Sequence, residues 1–323
     1  MSQINTKELE REIAANHGNI AGIVVLKNGA PAYSGYFNGC TPASPVHVFS
    51  VTKSVVSALI GIAINKGYIK SVNQKVLEFF PTYTPKRGEK TLQQVTLKHL
   101  LTMTAPYKYR SAPYTKYFTS SNWVTAALDL LGGKKPIGTF RYTPLIGPDI
   151  LSGILANATG QPVLSLAKQH LFKPLGIATG DNITFADKDD QFAFIKSKTA
   201  CGWVADPQGT NTAGWGLTLT AADMAKIGQL YLNGGQWEGQ QIVPAAWIAE
   251  STRQHSHWAK LNLPFGYLWW PQKDGYAAMG DGGNVIYINT SNNTVVAIAA
   301  YFAPKVKDRI TLIEQFVLPM LEG

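Results

Sequence analysis

The chain has 323 residues, 45% of them apolar and 15% charged, with a formal charge of +9 from 29 Lys and Arg against 20 Asp and Glu. That length buries a large core in one big domain or two intimately joined ones, and the composition excludes a disordered chain. Cys40 and Cys201 lie far apart and in no C-x-x-C pattern, which excludes a disulfide framework or zinc site and predicts reduced, inert thiols.

The first stretch, "MSQINTKELEREIAANHG", lacks the basic start, apolar core and small-residue cleavage site of a secretory leader, so a cytoplasmic protein is expected. Residues 5 to 16 have the pattern of an amphipathic helix. "IAGIVVLKNGAPAYSGYFNG" follows as two β runs around Lys27-Asn28-Gly29, a hairpin with Asn-Gly at its turn. From residue 50 to about 233 the signals are mostly helical, at 95 to 104, 121 to 133 and 162 to 172. In "PDILSGILANATG", Pro148 suits a first helical turn, Ile150, Leu151, Ile154 and Leu155 form one apolar face, and Gly160 stops the helix. "TAADMAKIGQLYLNGG" closes the helical part, with Thr220 as cap, Asp223 in the first turn and Gly234 at the end.

After a helix near 244 to 252 the period changes to strands in "PFGYLWW", "DGYAAMG", "GNVIYINT" and "NTVVAIAAYF", with Asn292-Asn293 turning the last pair. A final amphipathic helix runs from about Val306 to Leu321. Hairpins favour antiparallel neighbours, so the first two strands and the last three are expected to form one five-stranded antiparallel sheet flanked by helices, an α/β (α+β) fold with a large helical insertion. Residues 1–65 plus 234–323 then make the sheet domain, 66–233 a mainly helical inserted domain, and the active-site cleft falls between them.

Within "HVFSVTKSVVSALIGIAINKG", residues 47 to 67, an otherwise apolar helix begins with Ser50 and carries Lys53. Three residues apart at the start of a helix, the two side chains share a face. A buried ammonium is costly unless it is paired or neutralised, and a desolvated lysine of lowered pKa can take the proton of a serine nucleophile. The helix N-terminus adds a dipole favourable to negative charge near Ser50. The run "VVSALIGIAI" is about half the length a bilayer requires, so no membrane span is expected. Lys and Arg are scattered, densest in "TPKRGEK" and "LGGKKP", and form no basic helix, so nucleic acid is not an expected partner.

"KKPIGTFRYTPLIGPDILSGILANATG", with "VTLKHLLTMTA" and "GLTLTAADMAKIGQLYLNGGQWEGQQIVPAAWI", resembles the serine β-lactamase-like superfamily in its class C branch. That branch holds class C β-lactamases, penicillin-binding D-alanyl-D-alanine carboxypeptidases, esterases and 6-aminohexanoate-dimer hydrolases, and the resemblance runs from about residue 20 to the C-terminus. It implies a β-lactamase/penicillin-binding-protein-like fold, with Ser50 as acylated nucleophile and Lys53 and Tyr142 as general base and proton shuttle. A phenol beside an ammonium is expected to form phenolate more readily than usual. The asparagine of the family's Y-x-N motif is replaced by Pro144, which removes a carboxamide that would orient lysine or substrate. At the third family motif, where a K-T-G or H-x-G binds a substrate carboxylate, the chain reads Ala278-Met279-Gly280 and offers no cation. The resemblance puts the oxyanion-hole amides at Ser50 and Asp281. The carboxylate of Asp281 would favour a cationic substrate group or simply form a turn. Met279, Gly280, Gly282 and Trp215 are candidate substrate-binding residues. Gly282 and Gly283 also suit backbone geometry alone. Trp203, Trp215, Trp269 and Trp270 suit either a cleft lining or the core. His99 reads as a hydrogen-bonded core residue, and His255 and His257 as loop residues without further metal ligands.

The expectation is a serine hydrolase without cofactor or metal, acting through an acyl-enzyme on small esters or amides. The alternatives are β-lactamase or D-alanyl-D-alanine carboxypeptidase activity on a β-lactam or peptide, and an inert binding module on the same fold. The sequence gives no oligomeric state.

Overall fold

We describe residues 6–321 of the protein in a computed structural model. The expected helix start at residue 5 and the chain's outermost residues lie outside them. Helix α1, Lys7–Asn16, leads into strands β1, Ile20–Lys27, and β2, Ala30–Tyr36, with Asn28 and Gly29 at the turn between them. Three further helices matter for the site: α2, Val51–Asn65, α3, Ile146–Thr159, and α4, Ala221–Leu232. Strands β3, Trp270–Gln272, β4, Gly275–Gly280, β5, Asn284–Asn289, and β6, Thr294–Ala300, complete an antiparallel sheet in the order β3-β4-β5-β6-β1-β2.

The sheet is the antiparallel one expected, with six strands rather than five. The extra strand is β3 at the edge, where Trp270 pairs with Ala277 and Pro271 with Tyr276. A proline offers no ladder donor and weakens a strand signal, but an edge strand tolerates it.

Side-chain alternation sends β1, β5 and β6 into two cores. Ile23, Val25, Val285, Tyr287, Val296 and Ile298 pack with Leu9 and Ile13 of α1 and with Leu312, Ile313 and Val317 near the C-terminus. Val24, Ile286, Ile288, Val295, Ala297 and Ala299 face the other way, into the large core containing α2, α3 and α4. Period-two patterning makes this double burial possible, because successive residues point to opposite faces. The C-terminal helix starts at Arg309 instead of Val306, since the Asp308 carboxylate caps it by accepting the N–H groups of Ile310 and Thr311. Likewise the 162 to 172 segment is an α-helix only over Val163–Ala167 and continues as a π-helical stretch, Lys168–Phe172.

Helix α2 is buried all round, from Val51 to Ala63, between the sheet side and α3. A helix apolar on every face belongs in the centre of a core. Its N-terminus is therefore fixed by packing on all sides, and that end carries Ser50. Among the described residues no single helix is long and apolar enough to cross a membrane.

Candidate active site

Ser50 sits at the N-cap of α2, but its hydroxyl makes no capping hydrogen bond and is left to face other groups. The preceding residue, Phe49, has φ 48°, a left-handed conformation that side chains disfavour and that packing must hold. Its ring lies 3.9 Å from that of His47 and 5.7 Å from that of Phe302, centroid to centroid. His47 is itself locked, with Nε2 accepting the N–H of Gly216 at 3.0 Å and burial pushing its pKa down to about 3, so it is neutral.

Lys53 is 2% exposed, and its Nζ lies 2.8 Å from Ser50 Oγ. The other two contacts of Nζ are backbone carbonyls, of Pro144 at 2.7 Å and Gly214 at 2.6 Å. Desolvation lowers the lysine pKa from an ordinary 10.5 to about 7, against the opposing pull of the Asp281 and Asp149 carboxylates. A neutral amine keeps two N–H bonds and one lone pair. With both carbonyls acting only as acceptors, the two N–H groups point at them and the lone pair is left for the serine hydroxyl.

Tyr142 contributes its phenol, 3.3 Å from Ser50 Oγ, and its ring stacks on Trp258 at 5.4 Å and 11°. Burial pushes the phenol up to about 12, helped by Asp281 and only partly opposed by the hydrogen bond to Ser50. This corrects the expectation of an easily formed phenolate. Desolvation has also lowered the pKa of the lysine to about 7, which makes it a weaker cation to stabilise one.

The replacement of the motif asparagine by Pro144 also has a different consequence from the one expected. The side-chain amide is absent, but the lysine is still oriented, by the Pro144 carbonyl. A backbone carbonyl serves whatever residue bears it, so the sequence motif understates what the fold supplies.

Gly280 ends β4 against the start of α2. A Cβ there would fall 2.4 Å from the Val48 carbonyl oxygen and 3.0 Å from the Ser50 nitrogen, so only glycine permits this approach of the two backbones. Asp281 follows it and is exposed. Ala278 is fully buried, and Met279 is half-buried between the two cores. Gly282 is not a contact surface. It is buried at φ 77°, its carbonyl accepts the Asn19 side-chain amide at 2.7 Å, and a Cβ would strike the Tyr301 carbonyl.

Trp215 is 4% exposed, behind Phe118 and Phe185, whose rings lie 5.9 and 6.2 Å away. Trp203 and Trp269 are core residues, while Trp270 packs 5.8 Å from Tyr142. His99 accepts the Thr96 N–H at 3.0 Å in a helix cap, and His255 bonds the Glu250 carbonyl.

Two residues escaped the sequence reading. Asp149, on the first turn of α3, is fully buried, with Oδ1 accepting the N–H groups of Ala213 and Gly214 at 2.7 and 3.2 Å and Oδ2 accepting the Tyr117 hydroxyl at 2.7 Å. Desolvation raises its pKa to about 6 in spite of those donors. Its signal was an acidic side chain inside the apolar pattern "IGPDILSGIL". Trp258 had no comparable signal in "QHSHWAK".

A cavity of about 790 Å³ is lined among others by Tyr114, Phe118, Trp123, Leu145, Phe185 and Phe192. Leu145 follows Pro144, and Phe118 and Phe185 pack on the neighbour of Gly214. The segments that hold Lys53 therefore also wall an aromatic pocket.

The profile of the Beta-lactamase family matches residues 7–315. A 6-aminohexanoate-dimer hydrolase of Paenarthrobacter ureafaciens is 23% identical over 237 residues, 70% of this chain and 55% of its own length. The chain spans about half the length of the curated relatives it matches. Among solved structures, a putative β-lactamase from Bacteroides dorei superposes with TM-score 0.78 at 16% identity, covering 99% of this chain and 100% of that one. EstCE1, described as a hydrolase with promiscuous acyltransferase activity, gives 0.72 at 17% identity over 98% of this chain and 97% of its own. The chain belongs to the Beta-lactamase family.

Proposed function

We propose, with family membership as the premise, that the protein hydrolyses small esters or amides through an acyl-enzyme on Ser50. The observation that carries the reading is the Lys53 amine, 2.8 Å from Ser50 Oγ, with its pKa lowered to about 7 and its other two contacts on carbonyls.

Neutral Lys53 takes the hydroxyl proton as Ser50 Oγ attacks the substrate carbonyl carbon. The resulting oxyanion is held by the N–H groups of Ser50 and Asp281, at the end of the α2 dipole. Collapse breaks the bond to the leaving group, which takes a proton from the Tyr142 phenol, and the phenol recovers it from protonated Lys53. Water activated by the same amine then attacks the acyl-enzyme, releasing the acid and free Ser50. Asp149 acts through Gly214, whose carbonyl it keeps on Lys53.

The aromatic cavity beside Pro144 and Gly214 favours an apolar acyl or leaving group. Tyr114 and Phe192, 36% and 48% exposed on its rim, would be covered by such a group. With Ala278 in the core and no cation at Ala278-Met279-Gly280, binding of a substrate carboxylate there has no support, which ranks β-lactams and D-alanyl peptides below simple esters and amides. An inert binding module would have no need of a desolvated lysine on a serine.

The test is turnover of p-nitrophenyl acetate, p-nitrophenyl butyrate and nitrocefin by wild type and Ser50→Ala. Ester hydrolysis that favours butyrate and vanishes in the variant supports the proposal. Faster Ser50-dependent cleavage of nitrocefin than of either ester would place β-lactams first. No turnover, with no labelling of Ser50 by a fluorophosphonate, would leave the inert module.

A further inference from the structure

The two densest basic spots of the sequence, separated by more than forty residues, meet on one surface of the fold. They line a groove of about 910 Å³ together with residues 107–110. Lys86, Arg87, Lys90, Arg110, Lys134 and Lys135 are all exposed there, and none has an acidic partner among the described residues. The one carboxylate in the lining, Glu89, is consumed in building the groove. Its Oε1 accepts the N–H groups of Thr91, Leu92 and Gly133, and its Oε2 pairs with Lys108 at 3.1 Å. Those bonds lock the three segments together while leaving six cations uncompensated. Such crowding of like charge costs stability at low salt and raises the local concentration of anions.

We propose that this groove binds a linear chain of phosphate groups, at a site separate from the serine centre. The groove is open and none of its cations is buried, which suits a chain laid across several loops better than a compact ligand sequestered in a pocket. The free cations are mostly lysines, point charges that tolerate the varied geometry of a phosphate chain. A single-stranded nucleic acid is disfavoured because its bases need free aromatic faces. Tyr107 is buried, and Tyr109 is covered by the Arg141 guanidinium 4.4 Å from its ring. Arg110 and Lys135 also line a smaller hollow of about 270 Å³ with Phe140 and Arg141, directly before Tyr142. A chain in the groove therefore has room to continue into this hollow.

The test measures binding of inorganic polyphosphate, poly-glutamate and a single-stranded oligonucleotide of matched charge, at 50 to 200 mM salt. The proteins are wild type, a groove variant (Lys86→Ala, Arg87→Ala, Lys134→Ala, Lys135→Ala) and a variant of equal charge change elsewhere (Lys66→Ala, Lys70→Ala, Lys260→Ala, Lys273→Ala). Hydrolysis of a small ester, where present, and circular dichroism report folding. The expected result is polyphosphate binding that weakens at least about tenfold in the groove variant alone, with the log–log salt slope falling by roughly 0.7 per cation removed. Equal weakening in both variants would show that net charge acts without a site. No polyphosphate binding at 50 mM salt, or tighter binding of poly-glutamate or the oligonucleotide, would overturn the proposal.

Discussion

The buried carboxylate of Asp149 accepts the N–H of Gly214 at 3.2 Å, and the carbonyl of that same Gly214 accepts from Lys53 Nζ at 2.6 Å. One residue of α3 thus sets the position of a lysine on α2 without touching it. Asp149→Asn keeps an acceptor for the two backbone N–H groups but removes a charge that holds the Lys53 pKa up. The expected outcome is a folded protein whose kcat/KM rises at lower pH than in wild type, since a weaker base deprotonates sooner. A purely structural role would lower activity at every pH without moving the midpoint.

The pH dependence of the wild type follows from the two buried groups. Under the proposed mechanism activity needs Lys53 neutral, so kcat/KM for an uncharged ester should climb through pH of about 7. It needs Tyr142 protonated, and burial keeps the phenol so up to about 12. A single rising limb is expected between pH 5 and 10. A fall above pH 8 in a protein that remains folded would contradict a Tyr142 phenol held protonated by burial.

Tyr142→Phe removes only the hydroxyl 3.3 Å from Ser50 Oγ and keeps a ring to stack on Trp258. Stability should change little, while kcat drops by about 10² to 10⁴ with KM nearly constant, the usual cost of losing a positioned proton-transfer group. Steady-state kinetics with a thermal melt in parallel separates the two effects.

Gly280→Ala places a methyl group 2.4 Å from the Val48 carbonyl and 3.0 Å from the Ser50 nitrogen. Backbone cannot give way as a side-chain tip can, so β4 must move from α2 and carry the Asp281 amide with it. Loss of kcat by about 10² to 10³, the effect of removing one oxyanion donor, is expected alongside about 1 to 3 kcal/mol of destabilisation. Wild-type kcat in a destabilised variant would show that the Asp281 amide does not serve the oxyanion.

Much of the fold was legible because its signals are local. Alternating apolar residues in "GNVIYINT" and "NTVVAIAAYF", the Asn-Gly turn and the Thr220 cap each describe a few adjacent residues, and β5, β6, the β1–β2 hairpin and α4 formed where those signals stood. The edge strand β3 was harder to count because Pro271 masks it, and the last helix began late because Asp308 caps it.

The sequence by itself determined that Ser50 and Lys53 would face each other, since the helical period places residues three apart on one side whatever surrounds them. Tertiary structure alone decided what Lys53 would do there. Its other two partners are carbonyls of residues 144 and 214, and every residue has a carbonyl, so no sequence pattern announces them. The same holds for Asp149, for the contact of Gly280 with Ser50, and for the union of Lys86, Arg87, Lys134 and Lys135 in one groove. Each depends on how the helical segments close over the sheet, which is set by burial of apolar faces distant in the chain rather than by the residues that meet.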